Sequence, residues 1–225
     1  MLVNADFSRR AVVAAHQYQW TASPQTGVER VMLDRLGSER ARATSIVRYA
    51  PGSSFARHQH PGGEEIFVLS GTFSDGDGHY PAGWYLRNPP GSSHQPFSND
   101  GTLIFVKLWQ MSPGEARAVR IDTREASAWR RGHGRDVCPL FEGDSERVVL
   151  ERLDPNVPLF AGQVESAELL VLAGELRADG QPYLRGSWIR LPAGQYPNVV
   201  AGHAGATVYL KTGHLIDVAE RGYSW

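Results

Sequence analysis

The chain has 225 residues, 41% of them hydrophobic, and a formal charge of -1 from 23 Lys and Arg against 24 Asp and Glu; with no basic field to attract phosphates, nucleic acid is not an expected partner. The opening residues MLVNADFSRR lack the apolar run of a signal peptide, and no stretch of about 18 apolar residues is present to span a membrane, so the sequence predicts a cytoplasmic protein without a membrane partner. The single cysteine, Cys138, cannot form an internal disulfide and reads as a small buried hydrophobe.

In chain order, residues 28–37 (VERVMLDRLG) carry an apolar spacing that fits either a short helical turn or a strand. Four runs rich in β-branched and aromatic residues follow, at 44–49 (TSIVRY), 65–70 (EIFVLS), 102–109 (TLIFVKLW) and 206–211 (ATVYLK). With 24 Gly and 14 Pro as punctuation, they predict an all-β fold in which helix is minor.

Residues 64–91 match residues 167–194 without a gap, at an offset of 103. Gly71, Gly83, Pro89 and Gly91 recur as Gly174, Gly186, Pro192 and Gly194, turn formers that fix where strands end. Residues 46–51 and 105–108 resemble 150–155 and 209–212 at an offset of 104. The two halves therefore share one β plan, and the polar stretch 111–135 predicts a boundary between domains 1–112 and 113–225.

Chemistry concentrates in the first copy. His58 and His60, at i and i+2 on a strand, project to one face, and the turn Pro61-Gly62-Gly63 returns the chain so that Glu64 comes back beside them. A second rigid turn, Pro89-Pro90-Gly91, aims His94 from another hairpin. Singly, an HxH pair is often a surface pair and a Gly-Gly-Glu-Glu run a polar turn; together the four residues read as one metal site. Three imidazoles and a carboxylate without a thiolate suit one divalent Zn, Fe, Mn or Ni ion per chain. The imidazoles must be neutral to donate, so affinity is expected to fall as pH drops below their ordinary pKa of about 6.5.

The second copy has Ala161, Gln163, Ala167 and Pro197 at the ligand positions, which predicts no metal there. Glu65 and Arg87 do recur, as Glu168 and Arg190, and read as structural pairs between neighbouring strands. Only one of Glu64 and Glu65 can face the ion; the repeat selects Glu64, with Glu65 as the competing ligand. Phe55 and Phe97, each three residues from a ligand, are candidates for lining a pocket, with ordinary core packing as the alternative. Ser92 and Ser93 lack a base to activate them, and His16, His79, His133, His203 and His214 read as surface residues.

The string from Gly52 through His58, His60 and Glu64 to Gly71, and the string from Gly83 through Pro89 and Gly91 to His94, resemble the two motifs of the cupin family. One departure is Ser98 where the family carries Asn, with Asn99 one residue on. Residues 43–55 and the stretches HPGGEEIFVLSG, NPPGSSHQPFS and FVKLWQ are most similar to the metal-binding cupin domain of ChrR-type anti-sigma factors. The resemblance implies two tandem cupin barrels, conical jelly rolls, with the metal inside the first, held at positions 58, 60, 64 and 94. The helical zinc-binding domain through which ChrR grips its sigma factor has no counterpart before residue 40, which puts sigma-factor binding in doubt.

Two functions fit these residues. One is a regulatory module that binds or senses a small or oxidised molecule at the ion. The other is a non-heme metal-dependent dioxygenase acting on a small diketone, phenol or aryl ketone. A storage or purely structural barrel would leave the ligand set without a purpose. Pairing of the two barrels within the chain, with the metal-free copy supplying an interface, and a homodimer are further expectations.

Overall fold

The computed structural model describes residues 1–38 and 40–215. They are almost wholly β: the helical elements among them are two single 3-10 turns, Ala15–Gln17 and Ala126–Ala128. Among the described residues, no helix is long and apolar enough to cross a membrane. Residues 28–36, ambiguous by pattern, form the strand Val28–Leu36, which pairs along its length with Arg42–Tyr49.

The chain divides into two compact units. The first comprises Met1–Ala5 and Gln19–Glu125, the second Asp6–Tyr18 and the chain from Ala126 onward. In the first, antiparallel strands run across the sheet in the order Leu2–Val3, Val28–Leu36, Arg42–Tyr49, Thr102–Leu108, Glu64–Asp75, Trp84–Asn88 and Val119–Asp122. In the second the order is Arg130–Gly132, Arg135–Glu142, Arg147–Leu153, Val200–Thr212, Ala167–Ala178, Trp188–Leu191 and Ala11–Val13. Each unit adds a two-strand ladder, His58–Gln59 with Ser93–His94 in the first and Gln163–Val164 with Gly194–Gln195 in the second. The last strand of the second sheet thus comes from ahead of the first repeat, and that of the first sheet from the segment between the repeats.

Register repeats as well as order. Glu64 lies opposite Asn88 and Leu108, and Ala167 opposite Leu191 and Thr212. The repeated glycines explain part of this fidelity. Gly71 has φ +68°, and a Cβ there would stand 2.1 Å from the Gly101 carbonyl oxygen; Gly174 has φ +66° and the same relation, at 2.2 Å, to Gly205. A side chain at either position would meet both an unfavourable backbone conformation and a backbone atom.

Across three neighbouring strands Glu65 sits in register between Arg87 and Lys107, and Glu168 between Arg190 and Lys211, all buried. Arg87 Nη1 lies 3.2 Å from Glu65 Oε2. Glu168 accepts a hydrogen bond from Trp188 Nε1 at 2.7 Å, and the Arg190 guanidinium stacks on Phe7 at 3.8 Å. His214 departs from its surface expectation: its side chain is 1% exposed and Nε2 lies 3.0 Å from Glu168 Oε2. The turn at Gly213, whose N–H bonds Ser166, carries the ring inward, and spacing along the sequence gave no sign of that fold-back. Cys138 is buried, and burial pushes its thiol pKa up to about 11, so it stays protonated.

Gly71→Ala and Gly174→Ala are each expected to cost about 1–3 kcal/mol of folding stability. Denaturant titration measures this, and unchanged midpoints in both variants would contradict the constraint described.

Candidate metal centre

The short ladder of His58–Gln59 with Ser93–His94 sets His58 opposite His94. One residue beyond it, the His60 N–H bonds the Ser92 carbonyl at 2.9 Å and the His60 carbonyl accepts from Gly91 and Gly63. The turn that follows is tight for a local reason. A Cβ on Gly62 would stand 2.6 Å from Trp109 Cα, and one on Gly63 (φ +75°) 2.4 Å from Met111 Sδ. Trp109 and Met111 also donate their N–H groups to Gly63 and Gly62. Pinned there, the chain enters the strand Glu64–Asp75 with Glu64 beside the imidazoles.

His58, His60, Glu64 and His94 each offer a donor atom within 4.8 Å of all the others. Nε2 of His60 and Nε2 of His94 both lie 3.4 Å from Glu64 Oε2. The three rings stand nearly perpendicular to one another, with interplanar angles of 84°, 73° and 85° and centroids 5.0, 5.1 and 4.6 Å apart. Ligand bonds of about 2.1 Å leave donor atoms roughly 3 to 3.5 Å apart, so this spacing fits a shared cation. His60, Glu64 and His94 are buried, whereas His58 is half-buried and forms the edge facing solvent.

The outward nitrogen of every ring is engaged. Nδ1 of His58 lies 3.0 Å from the Ala56 carbonyl, that of His60 3.1 Å from Ser92 Oγ, and that of His94 3.1 Å from Asp75 Oδ2. Burial alone would raise the Asp75 pKa, but hydrogen bonds from His94 and the Asp77 amide outweigh it and hold the carboxyl below its usual range. Asp75 thus holds the Nδ1 side of the His94 ring, which leaves Nε2 on the side of Glu64. Burial, outweighing the attraction of Glu64, lowers the His60 pKa and keeps that ring neutral as a ligand must be. Among the described residues, Nε2 of His60 and Nε2 of His94 are buried without a hydrogen-bond partner, a cost of about 1–3 kcal/mol apiece that a bound cation would remove.

Glu64 Oε2 accepts from Asn88 Nδ2 at 2.9 Å, and Asn88 Oδ1 in turn accepts from Arg120 Nη2 at 2.7 Å. Motif spacing pointed to none of Asp75, Asn88, Ser92 and Arg120. Asp75 is eleven residues from Glu64, which by strict alternation would put it on the other face of the strand. A bulge, marked by the register shift between Leu103 and Ile104, reverses the parity and brings Phe73 and Asp75 inside. The repeat did carry a usable signal, since Asp75 and Asn88 become Ala178 and Leu191 where the ligands are also replaced.

The two phenylalanines separate. Phe55 packs on the interior cluster with its ring 5.9 Å from His58, while Phe97 meets the exposed His79 at 6.1 Å. Ser98, at the motif position where Asn is usual, is fully buried and donates to the Thr72 carbonyl at 2.7 Å. Ser92 and Ser93 are occupied with His60 and Arg57. In the second unit Ala167, Leu191 and Ala178 belong to a continuous apolar core with Leu169, Leu176 and Phe160. Among the described residues, no second group of three or more metal-ligating side chains occurs.

Residues 8–112 match the family model described as the ChrR cupin-like domain. No curated protein matches. Among solved structures, the chain is similar to a Nostoc punctiforme protein provisionally designated a dioxygenase, with TM-score 0.76, 14% identity, 94% of this chain and 85% of that one covered. It is also similar to the Escherichia coli pirin YhhW in complex with nickel(II), with TM-score 0.60, 13% identity, 91% and 98% covered. A third is Bacillus subtilis oxalate decarboxylase with Mn(II) centres, with TM-score 0.60, 12% identity, 90% and 77% covered. At such identities these likenesses speak for the fold alone, a cupin-like one, while residues 8–112 are similar to the ChrR cupin-like domain.

Proposed function

We propose that the first unit is a cupin barrel holding one divalent transition-metal ion through Nε2 of His58, His60 and His94 and a carboxylate oxygen of Glu64, and that the chain binds or senses a small molecule at that ion. The second unit is then a cupin barrel without metal. The observation that carries this reading is the convergence on one carboxylate oxygen of two buried imidazole nitrogens that have no hydrogen-bond partner among the described residues. Nitrogen and hard oxygen donors without thiolate suit Fe(II), Mn(II), Ni(II) or Zn(II). When bound, such an ion supplies a Lewis-acid centre for an oxygen-donor ligand.

The residues around it would shape access. His58 is the solvent-facing member, so a ligand approaches past it and past Phe55. Phe55 packs 5.5 Å from Tyr49, which also lines an open cleft of about 650 Å³ between residues 22–29 and 48–51. The family of the sequence match, typified by a regulator, supports sensing. A second reading, a non-heme dioxygenase acting on a small diketone, phenol or aryl ketone, draws support from the half-exposed edge at His58 and from the likeness to the Nostoc structure.

Metal analysis of purified variants tests the site. Glu64→Ala is expected to lose most bound metal while remaining folded. Glu65→Ala should retain the site but lose about 3–5 kcal/mol of stability, because it removes one half of the buried Arg87–Glu65 ion pair. Metal loss from Glu65→Ala with full occupancy of Glu64→Ala would reverse the assignment. Oxygen uptake by anaerobically Fe(II)-loaded protein with a panel of diketones, phenols and aryl ketones separates the readings: no uptake is expected for a sensor, and turnover of any one compound would establish the dioxygenase.

A further inference from the structure

The hydrogen bonds that hold Glu64 run past the end of the matched family domain. Arg120 lies on the strand Val119–Asp122, eight residues beyond position 112, and stands in register opposite Leu86, whose side chain faces the interior. Asn88, two residues on, shares that face. The Arg120 guanidinium is fixed from several sides: Nη1 donates to the carbonyls of Val119 at 2.8 Å and Arg87 at 3.1 Å, and the group sits 5.6 Å from the Tyr80 ring centroid, with Nε 3.4 Å from its hydroxyl.

We propose that Arg120 is a positioning residue for the metal ligand Glu64, acting through Asn88; this rests on the metal-binding reading above. A carboxamide has one accepting and one donating end. With Oδ1 accepting from the Arg120 cation at 2.7 Å, Nδ2 must face the other way, where it donates to Glu64 Oε2 at 2.9 Å. The flipped amide would set its NH2 against a guanidinium and its oxygen against a carboxylate, so the cation selects one orientation. That orientation holds Oε2 at 3.4 Å from both His60 Nε2 and His94 Nε2.

The second unit is an internal control. Val12 stands opposite Ile189 as Arg120 stands opposite Leu86. The relay Arg120, Asn88 and Glu64 is there replaced throughout by Val12, Leu191 and Ala167, which pack in or against the apolar core. Cation, amide and carboxylate are present together in one unit and absent together in the other, although the strand bearing Arg120 lies outside the motif region.

Cobalt(II) titration of the full chain tests the relay, read by affinity and by the visible d–d spectrum, with melting of each metal-free variant as the check on folding. Arg120→Met is expected to weaken binding about 10-fold or more and to change the spectrum. Asn88→Leu should weaken it at least as much, and adding Arg120→Met to Asn88→Leu should cost nothing further. Arg120→Gln is read in the same way if the methionine variant does not fold. Wild-type affinity and spectrum in the Arg120 variants, or losses that multiply in the double variant, would overturn the proposal. Absence of cobalt binding by the wild type would instead overturn the metal reading itself.

Discussion

Burying polar nitrogen away from water is costly unless each atom finds a hydrogen bond, and in the first unit two imidazole nitrogens have no hydrogen-bond partner among the described residues. They face a buried carboxylate, itself expensive to bury without a counter-charge. A cation at their common focus would satisfy all three groups together. The surrounding polar groups follow from this demand: Asp75, Ser92 and the Ala56 carbonyl hold the outer ring nitrogens, and Asn88 holds the carboxylate.

The second unit shows what the same strand plan becomes without that demand. Its register is unchanged at the key positions, yet Ala167, Ala178 and Leu191 stand where Glu64, Asp75 and Asn88 stand in the first. The fold therefore does not require the polar set, since an apolar core fills the same interior. By contrast the charged rows Arg87–Glu65–Lys107 and Arg190–Glu168–Lys211 occur in both units, which ties them to the sheet rather than to the candidate ligands.

The all-β architecture and the repeat were legible in the sequence because strand runs and turn glycines leave periodic traces that a fixed offset makes visible. The four candidate ligands were legible because rigid turns set their spacing. Three features were not. Strands of three and four residues, Ala11–Val13 and Val119–Asp122, are too short to show a period, so their membership of the two sheets stayed hidden. The bulge that turns Asp75 inward breaks the alternation on which such reading depends. His214 reaches Glu168 across 46 residues, a contact that local pattern does not encode.

The most direct test of this account is anomalous X-ray scattering from crystals of the full chain grown with Zn(II). The account predicts a single peak at about 2.0–2.2 Å from Nε2 of His58, His60 and His94 and from a Glu64 oxygen, with none in the second unit. Imidazoles turned out into solvent around an empty centre, or density only elsewhere, would contradict it.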